Sequence, residues 1–80
     1  NLGALLLELG RTREALPLLT RAAARHAGDA RAHATLGIAL CDLERFEEGI
    51  EHLETALRLD PDHALARRAL DEARRASGGD

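Results

Sequence analysis

An internal repeat constrains the fold of this chain more than any other feature. Leu2-Gly3 recurs 34 residues later as Leu36-Gly37. The other matched pairs are Leu6 with Leu40, Leu9 with Leu43, Arg11 with Arg45, Glu14 with Glu48, Leu19 with Leu53 and Ala22 with Ala56. A repeat of this length is one supersecondary unit, and it buries its apolar face by stacking on its neighbours. The sequence therefore predicts two copies of one helical unit, and only the second copy is complete.

Composition supports helices throughout. The apolar residues are mostly Leu and Ala, with no Val, Trp, Tyr or Met and a single Phe. Leu and Ala favour helices, whereas β-branched and aromatic residues favour strands. Apolar residues at three- and four-residue spacing give each predicted helix a buried stripe, and the third helix has two such stripes. We expect helices over residues 1–9, 12–26, 30–43, 46–59 and 63–76.

Turn chemistry predicts where these helices begin and end. Gly10 ends the first helix in the left-handed conformation that glycine adopts without strain. Thr12, Asp29 and Asp62 are placed to cap the N-termini of the helices that follow them. In the last helix, four-residue spacing predicts three ion pairs: Arg67 with Asp71, Arg68 with Glu72, and Asp71 with Arg75.

The second copy resembles the tetratricopeptide repeat, whose signature is W-x₂-L-G-x₂-Y, A-x₃-F, P over the same period. The matching slots hold Leu36-Gly37, Gly49, Leu53, Ala56 and Pro61. The chain departs from the signature at His33 in the tryptophan slot, Leu40 in the tyrosine slot, and Ala27 where the first copy should have its proline.

The resemblance implies an all-α fold of antiparallel helix-turn-helix repeats stacked in a right-handed superhelix, an α-solenoid. It divides the chain into a truncated first repeat (1–29), a complete repeat (30–63), a capping helix (64–76) and a flexible tail (77–80). It also suggests a bacterial-type fragment. Residue 1 falls inside what the second copy shows to be a helix, so we interpret the chain as a fragment of a longer protein or as a chain that lacks its front part.

The resemblance further implies a concave groove for a protein or peptide partner. Extending the inner stripe of the complete helix to its neighbours selects Ala4, Leu7, Glu8, Arg31, Ala34, Ile38, Cys41, Asp42, Leu65, Arg68, Glu72 and Arg75. An apolar floor with a rim of arginines suits a segment that has an apolar anchor and some acidic groups. For Ala34, packing between helices is nearly as good an interpretation.

Two functions fit these features. The first is an interaction module that holds a peptide or helix of another protein. The second is the substrate-recruiting arm of a larger enzyme, such as a glycosyltransferase, with the chemistry in another domain. The two functions differ in what lies beyond the two ends of the chain.

Charge and composition argue against other partners. The net charge is −3, five arginines lie within residues 11–33, and eight acidic residues lie within 42–62. Nucleic-acid binding normally requires a basic face and stacking aromatic side chains, so we expect no nucleic acid. The longest apolar run, Leu2 to Leu7, is far shorter than the ~20 residues of a membrane span, so we expect no membrane.

Candidate chemistry is sparse, and we expect no catalytic site, cofactor or metal. The four histidines have no partners at metal-ligand spacing, and the single serine, Ser77, has no triad. The carboxylates of residues 44–54 indicate a solvated face. We expect Cys41 to act as a small apolar residue and His33 to lie in the core. Leu5, Leu9 and Leu16 form an apolar end that predicts self-association of two chains through the N-terminal side, by end-to-end stacking or by exchange. The compartment stays open, with the cytoplasm slightly favoured.

Overall fold

The computed structural model describes residues 2–78. This part of the chain contains five α-helices and no strand: α1 Leu2–Glu8, α2 Thr12–Arg25, α3 Ala30–Asp42, α4 Phe46–Leu59 and α5 Ala64–Ala76. The expected all-α fold is confirmed, and each observed boundary lies within two residues of the expected one. The helix start expected at residue 1 lies outside the described residues, and the expected tail is described only as far as Gly78.

The helices form two pairs and a final single helix. Helix α1 packs on α2 and α3 packs on α4, while α2 contacts α3 and α4 contacts α5. The turns within the pairs cover residues 9–11 and 43–45, and the turns between pairs cover 26–29 and 60–63. The shorter turns lie within the helix pairs and the longer turns lie between them. This alternation follows the period of the sequence repeat, because each repeat forms one helix pair.

Two turns share one helix-ending geometry. Gly10 has a φ of +79°, as expected, and the Arg11 N–H donates to the Leu6 carbonyl at 2.9 Å. In the second copy the same position is Glu44, with a φ of +65°, and the Arg45 N–H donates to the Leu40 carbonyl at 2.9 Å. A side chain in the left-handed region crowds its own backbone, so Glu44 adopts a strained conformation that glycine would adopt freely.

The caps only partly match expectation. Asp29 caps α3 as expected, because its carboxylate accepts the Arg31 N–H at 2.9 Å. The prediction for Asp62 was wrong: the residue before α5 is His63, whose Nδ1 accepts the Ala66 N–H at 3.2 Å.

Thr12 does not cap α2. It is the first residue inside the helix and is buried, and Arg11 before it makes no capping hydrogen bond through its side chain. The Thr12 hydroxyl instead donates to Asp42 Oδ2 at 2.5 Å. That bond joins the start of α2 to the end of α3, so the threonine stabilises contact between repeats and not a helix terminus.

Two hydrophobic clusters share α3. The first lies among α1, α2 and α3, and its buried residues are Ala15, Leu19, Ala23, Leu36, Ala39 and Leu40. The second lies among α3, α4 and α5, and its buried residues are Ala34, Leu53, Ala56, Ala66, Leu70 and Ala73. The two stripes predicted for the third helix thus face two different neighbours, as a central helix of a stacked array requires.

Helices α3 and α4 meet at two glycines. A Cβ built on Gly37 would lie 2.9 Å from the Gly49 carbonyl oxygen, and one built on Gly49 would lie 2.8 Å from the Gly37 carbonyl oxygen. The Cys41 sulfur fills the remaining space beside Gly49. The backbones therefore touch at this crossing, because neither glycine carries a side chain that would keep them apart.

The ion pairs expected along α5 are not formed. The described residues make three salt bridges, which join Arg11 with Glu14, Arg45 with Glu48, and Arg74 with Glu54. The third joins α5 to α4, with Arg74 Nη2 2.9 Å from Glu54 Oε2. The geometry therefore favours a tertiary contact over pairs along the exposed side of α5.

Candidate partner-binding groove

Two depressions lie side by side and share Ile38 of α3. The first, of about 480 Å³, brings together Ala4, Leu7, Glu8, Arg31, Ile38 and Leu65 from the set selected in the sequence. The second, of about 260 Å³, brings together Ile38, Cys41, Asp42 and Glu72. Helices α1, α3 and α5 supply these residues, so the two depressions form one groove, with Ile38 at its centre.

Three residues of the selected set lie outside this groove. Ala34 has no exposed surface and packs in the second hydrophobic cluster, so a partner could not contact it. Arg68 and Arg75 are exposed on α5 but line neither depression. The expected arginine rim is therefore reduced to Arg31.

The groove also has lining residues that sequence reasoning missed. In the first depression they are Leu19, Ala22, His26, Asp29, Ala32 and Thr35, and in the second Phe46, Ala69, Ala73 and Ala76. Leu19 and Ala22 of this list belong to α2, and Phe46 belongs to α4. The stripe used for the selection followed only α1, α3 and α5, so it could not include them.

Charge in the groove is mainly acidic. Its lining carries Glu8, Asp29, Asp42 and Glu72 against Arg31. Glu8 and Asp42 are equivalent positions 34 residues apart, at the last residue of α1 and of α3. Carbonyl groups at a helix C-terminus carry partial negative charge, which adds to the charge of these carboxylates.

Cys41 is a packing residue of this groove. The thiol is half-buried beside Gly49, and burial raises the pKa of Cys41 above its ordinary value. A thiol with a raised pKa holds little thiolate at neutral pH, and the thiolate is the reactive form. The side chain thus acts as a small apolar group, as the sequence suggested.

Comparison with known families decides how this architecture is classified. The family model for the tetratricopeptide repeat matches residues 6–76, which is most of the chain. The chain belongs to the tetratricopeptide repeat family. Searches of curated proteins and of solved structures gave no match. Tetratricopeptide repeats generally mediate protein–protein interaction and are typically non-catalytic.

The tryptophan slot of this tetratricopeptide repeat holds His33, which pairs with His52 of α4. His33 is buried, its Nε2 lies 2.9 Å from the Ala27 carbonyl oxygen, and its Nδ1 lies 3.2 Å from Nδ1 of His52. The rings are stacked, with centroids 5.4 Å apart. A carbonyl only accepts, so Nε2 of His33 carries the proton and its Nδ1 accepts from His52 when His33 is neutral. Burial, followed by the neighbouring His33, lowers the pKa of His52.

The remaining surface of the repeat offers few other sites. No group of three or more His, Cys, Asp or Glu side chains within residues 2–78 is arranged to hold a metal ion. None of the helices described is long and apolar enough to cross a membrane. Helix α1 and the turn after it do expose apolar side chains: Leu2 and Leu5 of α1 are 60% and 50% exposed, and Leu9 in the turn is 61% exposed. Leu16, which was expected to share this surface, is half-buried against the first cluster.

Proposed function

We propose that this tetratricopeptide repeat segment binds a peptide or helix of a partner protein in the groove centred on Ile38. The observation that carries the proposal is the continuity of the two depressions. Their shared residue, Ile38, is half-buried, so part of its apolar surface remains open to a ligand. Removing such surface from water contributes about 25 cal/mol per Å² to binding, before the entropic cost of association.

The segment acts in this proposal by binding and performs no catalysis itself. The groove lining combines the apolar side chains of Leu7, Ile38 and Leu65 with carboxylates. Burial raises the pKa of the Cys41 thiol, which disfavours the reactive thiolate. Apolar anchors with polar groups around them are the pattern by which helical grooves recognise peptide segments.

A substitution at the centre of the groove tests the proposal. Peptides selected from a random library for binding to the folded chain are measured by fluorescence anisotropy against the parent and Ile38→Glu. The matched control is Leu59→Glu, which makes the same chemical change at a leucine that is 44% exposed and lines neither depression.

We expect Ile38→Glu to weaken the selected peptides at least tenfold while Leu59→Glu leaves their affinity unchanged. Circular dichroism establishes that both variants keep the helical fold. Peptides that bind a folded Ile38→Glu variant as tightly as the parent, but are lost when Glu47, Glu48 and Glu51 are neutralised, would place the partner on the outer acidic face of α4.

A second surface supports association of two copies of the chain. The residues of α3 equivalent to Leu2 and Leu5 are Leu36 and Ala39, and both are buried in the cluster that α3 forms with α2. The same side of α1 is therefore a surface suited to a packed helix. In a two-fold dimer, α1 of each copy would cover the leucines of the other.

A further inference from the structure

We infer that the partner segment carries basic side chains around its apolar anchor. The inference rests on the proposed function and specifies its partner. It reverses the expectation from sequence, which assumed a rim of arginines and hence an acidic partner. Two of those arginines, Arg68 and Arg75, line neither depression, so they are not among the side chains that line the groove around a bound segment.

The carboxylates of the groove differ in how far they are already engaged. Asp29 caps α3, and Asp42 accepts the Thr12 hydroxyl through one of its oxygens. Within residues 2–78, no hydrogen bond or salt bridge engages the side chain of Glu8 or Glu72, and both residues are exposed. These two carboxylates, with the second oxygen of Asp42, are available to pair with cations of a ligand.

The arrangement of charge and apolar surface selects one kind of segment. Glu8 lies in the first depression, Glu72 lies in the second, and Ile38 lies where the two meet. A ligand that places an apolar side chain on Ile38 thus has a carboxylate on either side. Lysine or arginine flanking that anchor gains attraction at both ends, whereas glutamate at the same positions is repelled.

The size of the molecule sets an upper limit on the length of a useful probe. The longest dimension of the molecule is 34 Å, which a helix of about 20 residues or an extended segment of about 10 would span. Two fluorescein-labelled peptides of about 14 residues share one leucine stripe at helical spacing. They differ only in their remaining positions, which are lysine in one peptide and glutamate in the other.

Binding of both peptides is measured with the full chain at low and at physiological salt. Glu8→Gln/Glu72→Gln removes two charges inside the groove. Glu47→Gln/Glu51→Gln removes two charges from exposed positions outside it, so it controls for general attraction to a chain of net charge −3. Ile38→Gln removes the apolar contact without a change of charge.

We expect the lysine peptide to bind at least tenfold tighter than the glutamate peptide. The groove double variant should lose about three- to tenfold of the affinity for the lysine peptide at low salt, and the outer double variant less than twofold. The difference between the two double variants should shrink at high salt, because ions screen exposed charges.

Two results overturn the inference in different ways. If both peptides bind equally and Ile38→Gln weakens both, the groove still binds and only the basic partner is wrong. The same conclusion holds if the outer double variant loses as much affinity as the groove variant while Ile38→Gln still weakens binding. If neither peptide binds, or if Ile38→Gln changes nothing, the groove is not the binding site and the proposed function fails with the inference.

Discussion

Substituting alanine for Gly37 tests the closest backbone contact in the fold. A Cβ at this position would lie 2.7 Å from Leu53 Cγ and 2.9 Å from the Gly49 carbonyl oxygen. The leucine can rotate away, but the oxygen belongs to the backbone of α4. Relief of the clash therefore requires α3 and α4 to move apart along their crossing.

Two opposing effects determine how much Gly37→Ala changes the free energy of unfolding. Overpacking of this kind costs about 1 to 3 kcal/mol. Alanine in place of glycine inside a helix returns about 1 kcal/mol, because glycine loses more backbone freedom on folding. We expect a net loss of about 1 kcal/mol for Gly37→Ala and of about 3 kcal/mol for Gly37→Leu, which overpacks the crossing further.

The repeat provides a matched control. Gly3 is the equivalent residue of the first copy, and the three atoms nearest to its added Cβ belong to side chains, among them Leu19 Cδ2 at 3.0 Å and Leu18 Cβ at 3.3 Å. The end of the Leu19 side chain can shift by a few tenths of an ångström. The gain of about 1 kcal/mol from alanine offsets the tight contact with Leu18 Cβ, so Gly3→Ala should be nearly neutral. Both variants replace glycine by alanine at the same position of the repeat. They differ in whether a backbone atom of another helix lies opposite the new Cβ.

Thermal unfolding followed by circular dichroism measures the difference. In a domain of this size 1 kcal/mol corresponds to about 4 to 8 °C in Tm, so Gly37→Ala should melt about 4 to 8 °C below the parent. Gly3→Ala should stay within about 2 °C of it. A Gly37→Ala variant that melts at or above the parent temperature would show that α3 and α4 do not touch at Gly37.

Three further predictions follow from the turns, the histidine pair and α1. Glu44→Gly should raise stability by about 1 kcal/mol in chemical denaturation, because it relieves a φ of +65°, and Gly10→Ala at the equivalent turn should lower it by a similar amount. The folded state lowers the pKa of His52 from its ordinary 6.5, so the unfolded chain binds the proton first. The contribution of His52 to the free energy of unfolding should therefore be fully present above pH 6.5 and fall as the pH drops below it. His52→Gln should flatten this pH dependence between pH 7.5 and 5.5. An unchanged pH dependence in that variant would show that His52 does not pair with His33. Analytical ultracentrifugation should show association at high concentration that Leu5→Glu abolishes, and a parent chain that stays monomeric would refute the α1 interface.

The fold was predictable because it depends on residue spacing. The recurrence of Leu2-Gly3 at Leu36-Gly37 fixed the repeat, and apolar residues three and four positions apart fixed the helices. The caps were less predictable, because Thr12, Asp62 and His63 all carry groups able to accept a backbone N–H. Thr12 instead donates to Asp42, a contact across 30 residues that no local pattern contains.

The charge of the groove could not be predicted, because a depression forms only where two neighbouring helices face each other. Repeat register places Arg75 at the position of Leu7 and Cys41, and both of those side chains line a depression. Leu7 does so because α3 stands opposite α1, and Cys41 does so because α5 stands opposite α3. On the far side of α5 no further helix is present within residues 2–78, so Arg75 lies at an equivalent register on an open surface. The repeat register shows which side of its helix a residue lies on, but it does not show whether another helix faces that side. The acidic character of the groove appears only when the next helix closes it, which leaves Glu8 and Glu72 inside and the arginines of α5 outside.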